Sequence, residues 1–160
     1  MFVKFKDKEN DDVYLSLKDE NDIPDGDHVL VIPIYQGQLL FTKHKLRGIE
    51  FPGGKREEGE SSEQACEREL FEETGALINI KDQHYIAQYC VNRQNSLPFT
   101  KDVFMVKVDR LQTKNDYLET EGPLLFNSIS DIKEERKSYL LKDAAILQCL
   151  ERVIELGFYA

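Results

Sequence analysis

Glu69, Glu72 and Glu73 stand in one helix-forming run, and three carboxylates set so close together could do chemistry. Steps of three and four residues place side chains on neighbouring lines of one helix surface. An all-oxygen, negatively charged set suits a hard divalent cation such as Mg²⁺. A plain solvated face has the same composition, because like charges at this spacing cost only about 0.2–0.5 kcal/mol per pair on an exposed helix. The order of the residues around them separates the two readings.

That order runs from Gly54 to Ala76, GKREEGESSEQACERELFEETGA. Its first part imitates a phosphate-binding P-loop, with two glycines, Gly54 and Gly59, at the right separation. The position that must hold a lysine holds Glu60, whose charge would repel phosphates, so a P-loop is rejected. The rest reads as a bounded helix. Ser61 is placed to cap its start, Gln64 closes a capping box three residues later, and Gly75 supplies the left-handed end. Cys66 and Leu70, with Leu77 just beyond, give it one face for a core beside the acidic face.

The stretch resembles the signature of the Nudix family. Gly54 is followed after five residues by Glu60, then after seven more by Arg68-Glu69-Leu70, and then by Glu72-Glu73 and Gly75. Every polar and glycine position is filled; Ala76 stands where a larger aliphatic is usual, which touches packing and not chemistry. The resemblance implies an α/β fold, the Nudix α/β/α sandwich with a mixed β-sheet, in which the signature forms a loop, helix and loop. It implies Mg²⁺, or Mn²⁺ in its place, bridging protein carboxylates to phosphate oxygens and lowering the pKa of a water. Glu69 and Glu73 are then metal ligands, Glu72 is a further ligand or is held through water, and the carbonyl of Gly53 joins them. Arg68 orients a signature carboxylate and is also spaced to pair with Glu72, while Glu60 braces the loop. The general base is Glu69, Glu73 or a glutamate of a later loop, Glu119 or Glu121, with Glu119 favoured and also assigned to the metal. A noncatalytic scaffold would have lost signature glutamates, and none is lost.

Downstream marks narrow the branch. Asn92 stands where ADP-ribose hydrolases tend to carry a proline, and Arg93 and Gln94 stand where dinucleoside polyphosphate hydrolases tend to carry a tyrosine. The segments RGIEFPGGK at 47–55 and LETEGPLLF at 118–126 are instead similar to the bacterial YtkD-type branch of the MutT-like enzymes. That implies hydrolysis of nucleoside triphosphates, oxidised guanine nucleotides included, to the monophosphate and pyrophosphate; the alternative substrate is a triphosphorylated RNA 5′ end. Tyr85, Tyr89, Phe126 and Asn127 are the candidates for reading the base, although strand aromatics mostly build cores.

A triphosphate needs cations, and Lys43, Lys45, Arg47 and Lys55 bracket the approach to the signature. Lys43 and Lys45 alternate and share a face if the strand extends that far.

The elements that must position these groups follow from periodicity. Val13–Leu17 alternates as a strand. His28–Tyr35 is a buried apolar strand whose Pro33 suggests an edge or bulge, and Gln36-Gly37 turns it into a hairpin with Gln38–His44. Phe51-Pro52-Gly53-Gly54 breaks the strand pattern. Strands are expected at 78–90 and 99–108 with a polar turn at 92–96, then a loop at 114–121 punctuated by Gly122-Pro123. Ser128 or Ser130 caps a short turn, 133–137 is a solvated charge run, and 142–156 has the spacing of a core-facing helix. Strands on both sides of one central helix, with a second helix at the end, argue for a mixed sheet between helices.

With 160 residues, 41% apolar and 32% charged, the chain reads as one soluble domain over residues 1–160. A net charge of −9 argues against sequence-blind nucleic-acid binding. No apolar stretch approaches the roughly 20 residues of a membrane helix, so no membrane partner is expected. Cys66, Cys90 and Cys149 are scattered and odd in number, which reads as reduced, buried thiols in a cytoplasmic protein. His28, His44 and His84 are isolated, so zinc is not expected, and oligomeric state is silent.

Overall fold

The structure is a computed structural model that describes residues 2–7, 9–93 and 96–159. The strands are β1 (Phe2–Lys6), β2 (Asp12–Leu17), β3 (His28–Tyr35), β4 (Gln38–His44), β5 (Gly48–Glu50) and β6 (Gly53–Lys55). After helix α1 (Ser62–Thr74) come β7 (Ala76–Asn92), β8 (Phe99–Leu111), β9 (Thr120–Phe126) and helix α2 (Ala144–Glu155). Gln94 and Asn95, the middle of the expected polar turn, and Met1 lie outside the described residues.

The strands form one mixed sheet in the order β1-β2-β7-β8-β3-β4-β5, with β6 on β3 and β9 on β4. β3 and β8 run parallel, His28 opposite Lys101 and Ile34 opposite Lys107, which places residues 73 apart in sequence side by side. β3 is buried from Val29 to Ile34, as a strand covered on both faces must be. Its alternate residues sort between two cores. Val29 and Val31 meet Ala65, Cys66 and Leu70 of α1. Leu30, Ile32 and Ile34 share a core with Ala145, Ile146, Cys149 and Val153 of α2. Burying a side chain of the size of Leu70 contributes about 1.5–3 kcal/mol. The arrangement is the expected α/β/α sandwich.

Helix α1 begins and ends where its residues dictate. The Ser61 hydroxyl accepts from the Gln64 N–H, the Gln64 side chain accepts from the Ser61 N–H, and Gly75 closes the helix at φ 77°. A Cβ on Gly75 would stand 2.0 Å from the Gln112 carbonyl oxygen, so glycine is required there twice over.

Several expectations change. Pro33 lies in an interior strand, not at an edge. Val31 donates to the Pro52 carbonyl, and strand alternation puts the Pro33 nitrogen on the same side. There it falls between the β6 pairing of 28–30 and the β4 pairing of 34–35, where no ladder bond is lost. Gly53–Lys55 is a short strand on β3, although its glycines read as a break. Part of the expected loop, from Thr120, belongs to β9, which pairs along β4 and absorbs Gly122 and Pro123; β9 has one partner, and an edge tolerates proline. β4 ends at His44, so Lys45 lies in the following turn and does not share a strand face with Lys43. Ser128 precedes a 3-10 turn at Ile129–Asp131 without capping it by a side-chain bond, because its hydroxyl meets that of Ser130. Cys66 and Cys149 are buried, but Cys90 is only half-buried. Among the described residues no helix is long and apolar enough to cross a membrane.

Candidate active site

Glu69 and Glu73 lie one turn apart on α1 and face the glycines of β6. The Gly53 N–H donates to Glu73 Oε2 at 3.1 Å. Gly54 lies directly under Glu69: a Cβ there would come within 2.4 Å of Glu69 Oε1. The glycine pair therefore lets two carboxylates close down on a backbone. Glu73 is only 9% exposed. Burial, with the charges of Glu69 and Glu50 added, pushes its pKa up to about 9 despite the Gly53 N–H and Arg47. Burial also pushes Glu69 up to about 7, against the pull of Arg68.

Arg68 ties the signature together. It grips Glu60 bidentately, Nε to Oε2 at 2.7 Å and Nη2 to Oε1 at 2.9 Å. Its Nη1 reaches Glu69 Oε1 at 3.0 Å and Glu72 Oε2 at 3.2 Å, and Nη2 donates to the Lys55 carbonyl at 3.1 Å. Glu60 also accepts from the Glu57 N–H, so it braces the loop. The Glu72 carboxylate is drawn toward this guanidinium and does not line the cleft that Glu69 and Glu73 face.

That cleft, about 600 Å³, is lined by Gly53, Gly54, Glu69, Glu73, Arg47, Lys55, Arg56 and Glu119, together with Glu57 and Glu58. Glu119 comes from the loop before β9; its side chain is 85% exposed and stands 3.9 Å from His44 Nε2. His44 Nδ1 accepts from the N–H groups of Leu46 and Arg47, so a neutral ring carries its proton on Nε2, toward Glu119. Glu121 points elsewhere, to Lys43 Nζ at 3.2 Å, and neither lines the cleft. The Lys45 side chain is not in the cleft either, although its N–H donates to the Glu119 carbonyl. Of the four expected cations, Arg47 and Lys55 are therefore in place. Arg47 is not free: it holds the buried Glu50 through two bonds of 2.9 and 2.8 Å.

A second cavity, about 300 Å³, opens on the α2 face of the sheet, lined in part by Tyr89, Phe99, Lys101, Tyr139 and Asp143. One line across the sheet joins it to the cleft. Lys55 is opposite His28, His28 opposite Lys101, and Lys101 opposite Tyr89. Burial, and then the charges of Lys101 and Lys55, hold the His28 pKa below its ordinary value. Burial likewise lowers that of Lys101, whose ammonium lies over Tyr89 and Phe99 at 5.9 and 6.0 Å. Of the base-reading candidates only Tyr89 lines this cavity. The Tyr85 hydroxyl donates to the buried Asp102, Phe126 packs edge-on against Phe41, and the Asn127 carbonyl accepts from the Tyr159 hydroxyl. Lys101, Glu50 and Arg56 were not singled out in the sequence. Glu50 had a faint signal, a charge set between Ile49 and Phe51; Lys101 had none, because its place depends on the parallel register of β3 and β8.

Among the described residues no group of three or more His, Cys, Asp or Glu side chains could hold a metal ion unaided. A pair of carboxylates nonetheless fits Mg²⁺, which is commonly held by one or two and fills its octahedron with waters and substrate phosphates. The buried Glu73 and half-buried Glu69 carboxyls, with pKa values of about 9 and 7, are also poised to give up protons to a cation.

An acid-lined cleft on a loop-helix-loop, set at the end of a mixed sheet between two helices, defines a class of protein. The NUDIX domain family matches residues 24–132, and the chain belongs to that family: it is a Nudix hydrolase, an enzyme of phosphoric anhydrides. It is 36% identical over 157 residues to YtkD of Bacillus subtilis strain 168, provisionally named an 8-oxo-dGTP diphosphatase, covering 97% of this chain and 98% of that one. It superposes on the crystal structure of the B. subtilis pyrophosphohydrolase BsRppH, solved as a glutamate-to-alanine variant, with a TM-score of 0.89, 34% identity and 99% of both chains covered. A Nudix hydrolase from Nitrosomonas europaea shares the fold at a TM-score of 0.64 and 23% identity, over 84% of this chain and 90% of that one.

Proposed function

We propose that the chain hydrolyses nucleoside triphosphates, guanine nucleotides above others, to the monophosphate and pyrophosphate, using Mg²⁺ (or Mn²⁺) in the cytoplasm. The observation that carries this reading is the line of side chains from cleft to cavity. Lys55 lies at the acidic end and Lys101 and Tyr89 at the other. Three strand spacings separate Lys55 from Tyr89, about 14 Å, a span that phosphates, sugar and base can bridge.

In this reading Glu69 and Glu73, with the Gly53 carbonyl and Glu119, would hold Mg²⁺, which when bound supplies charge neutralisation along the phosphate chain. Lys55 and Arg56 meet phosphate oxygens from the opposite wall. Arg47 is fixed by Glu50 and offers its remaining N–H groups in one set direction. Glu119, exposed and at the rim, takes a proton from the attacking water. Arg68 orients Glu69, opposes the effect of burial on its carboxyl, and holds the loop through Glu60. The Lys101 ammonium lies over the Tyr89 and Phe99 rings at the cavity, so an entering base should present a carbonyl there, as guanine does and adenine does not.

A triphosphorylated RNA 5′ end is the second reading. Its support is Phe99 at the cavity, flanked by Arg93 at 4.7 Å and Lys101 at 6.0 Å, a stacking surface with cations for a longer chain. The test is kcat/KM from pyrophosphate release with Mg²⁺ for GTP, ATP, 8-oxo-dGTP and a triphosphorylated oligonucleotide. Guanine substrates should lead, and Lys101→Met should lower their lead over ATP roughly tenfold, the worth of a lost base contact. An unchanged GTP/ATP ratio in that variant would remove Lys101 from base reading. A free-nucleotide rate far below that of the oligonucleotide would favour the second reading.

A further inference from the structure

We infer that Lys114 is a positioning residue for the reaction: it clamps the loop before β9 onto the C-terminal turn of α1 and so registers Glu119 against Glu69 and Glu73. The inference rests on the reading of the cleft as a hydrolase site in which Glu119 takes part.

The Lys114 Nζ donates to the carbonyls of Phe71 at 3.2 Å and Glu72 at 2.9 Å. These are last-turn carbonyls of α1, a turn that carries no basic residue of its own. A cation from outside the helix thus meets its negative end. The same ammonium lies 4.8 Å from the Phe71 ring and 5.6 Å from the Tyr117 ring. At the other end of the loop the Thr120 hydroxyl stands 3.1 Å from the Glu73 carbonyl, joined there by the Thr42 hydroxyl at 3.3 Å. Three consecutive carbonyls of the helix that carries the acids, 71 to 73, are therefore held by residues that bracket Glu119.

Glu119 cannot set its own position. Its side chain is almost fully exposed and its contact with His44 is long, 3.9 Å. The backbone path must aim it, and that path is unusual. Leu118, just before it, adopts φ 59°, a left-handed conformation that a leucine rarely takes. It is kept there by its N–H to Asp116 Oδ1 at 2.8 Å, by the Thr120 N–H to the Tyr117 carbonyl, and by the Lys114 N–H to the Tyr117 hydroxyl at 3.1 Å. The Tyr117 ring also seats against Gly122, where a Cβ would come to 3.1 Å. Strain of this kind survives where the surroundings over-determine it, and Lys114 joins those surroundings to the helix from the start of the loop, as Thr120 does from its end.

The test is a double-mutant cycle on the whole chain. Steady-state GTP hydrolysis with Mg²⁺, and Mn²⁺ affinity by electron paramagnetic resonance, are measured for the parent, Lys114→Met, Glu119→Gln and the pair. Thermal melts confirm that each is folded. Lys114→Met should lower kcat roughly tenfold with KM little changed, should weaken Mn²⁺ binding, and should do neither in the Glu119→Gln background. Lys114→Arg, which can still reach two carbonyls and stack on both rings, should restore kcat. Equal losses in both backgrounds, or no loss in either, would overturn the clamp while leaving the hydrolase reading intact. A Glu119→Gln variant with full kcat and Mn²⁺ affinity would instead remove Glu119 from the site, and the role of Lys114 with it.

Discussion

Glu73 is 9% exposed, with Glu69 and Glu50 for neighbours, and it keeps its proton far above the usual carboxylate range, to about 9. Glu73 therefore holds a proton in the folded chain that it loses in the unfolded one between about pH 4.5 and 9, and its contribution to metal-free stability falls as pH rises through that window. Glu69, raised to about 7, acts in the same direction over the lower part of it. In chelator, the melting temperature should drop between pH 6 and 9. Glu73→Gln, which keeps an acceptor for the Gly53 N–H but carries no charge, should flatten the drop and melt several degrees higher at pH 8. Identical pH curves for the two proteins would mean that Glu73 is not charged against its surroundings. The same residue would then be costly to stability and needed for activity, as expected of a site built to receive a cation.

At the scale of elements, the loop-helix-loop works because glycine lets β6 and α1 meet. Gly54 is outside the left-handed backbone region, so alanine would strain no dihedral there, but its Cβ would displace the Glu69 carboxylate. Gly54→Ala should keep its melting temperature within a few degrees and lose roughly a hundredfold in kcat, the effect of a misplacement of about 1 Å; a fully active variant would show that Glu69 has room to spare. Much of this element was legible in the sequence. Ser61, Gln64 and Gly75 bound α1 because capping chemistry is local, and the 28–44 hairpin follows from two apolar runs around Gln36-Gly37. β9 was not legible, since Gly122 and Pro123 signal a break unless the strand lies at an edge, and edge position is a property of the assembled sheet. The spacing of Glu72 suited a ligand as well as that of Glu69 did; both meet Arg68, and what sets them apart is that Glu69 packs over Gly54 of β6 and lines the cleft, a tertiary fact. Lys43 and Lys45 drop out of the cleft for similar reasons, one taken by Glu121 and the other beyond the end of β4.

Over the whole molecule, the sheet divides two cores, and the chemistry collects at one end of it. A chain of net charge −9 gathers Arg47, Lys55, Arg56 and Lys101 along the path from acidic cleft to aromatic cavity. That sorting answers how an acidic protein can take a polyanion: local cations and a bound cation cover the phosphates, and the remaining surface stays negative. Fold and family fix an enzyme of phosphoric anhydrides; the line Lys55–His28–Lys101–Tyr89 supports a nucleotide lying across the sheet. The most direct test is phosphorus NMR of GTP incubated with Mg²⁺ and either the parent or Glu73→Gln. The parent should give pyrophosphate and the monophosphate, and Glu73→Gln, folded by circular dichroism, should be slower by two orders of magnitude or more. Equal turnover by the two proteins, or orthophosphate as the released product, would contradict the account.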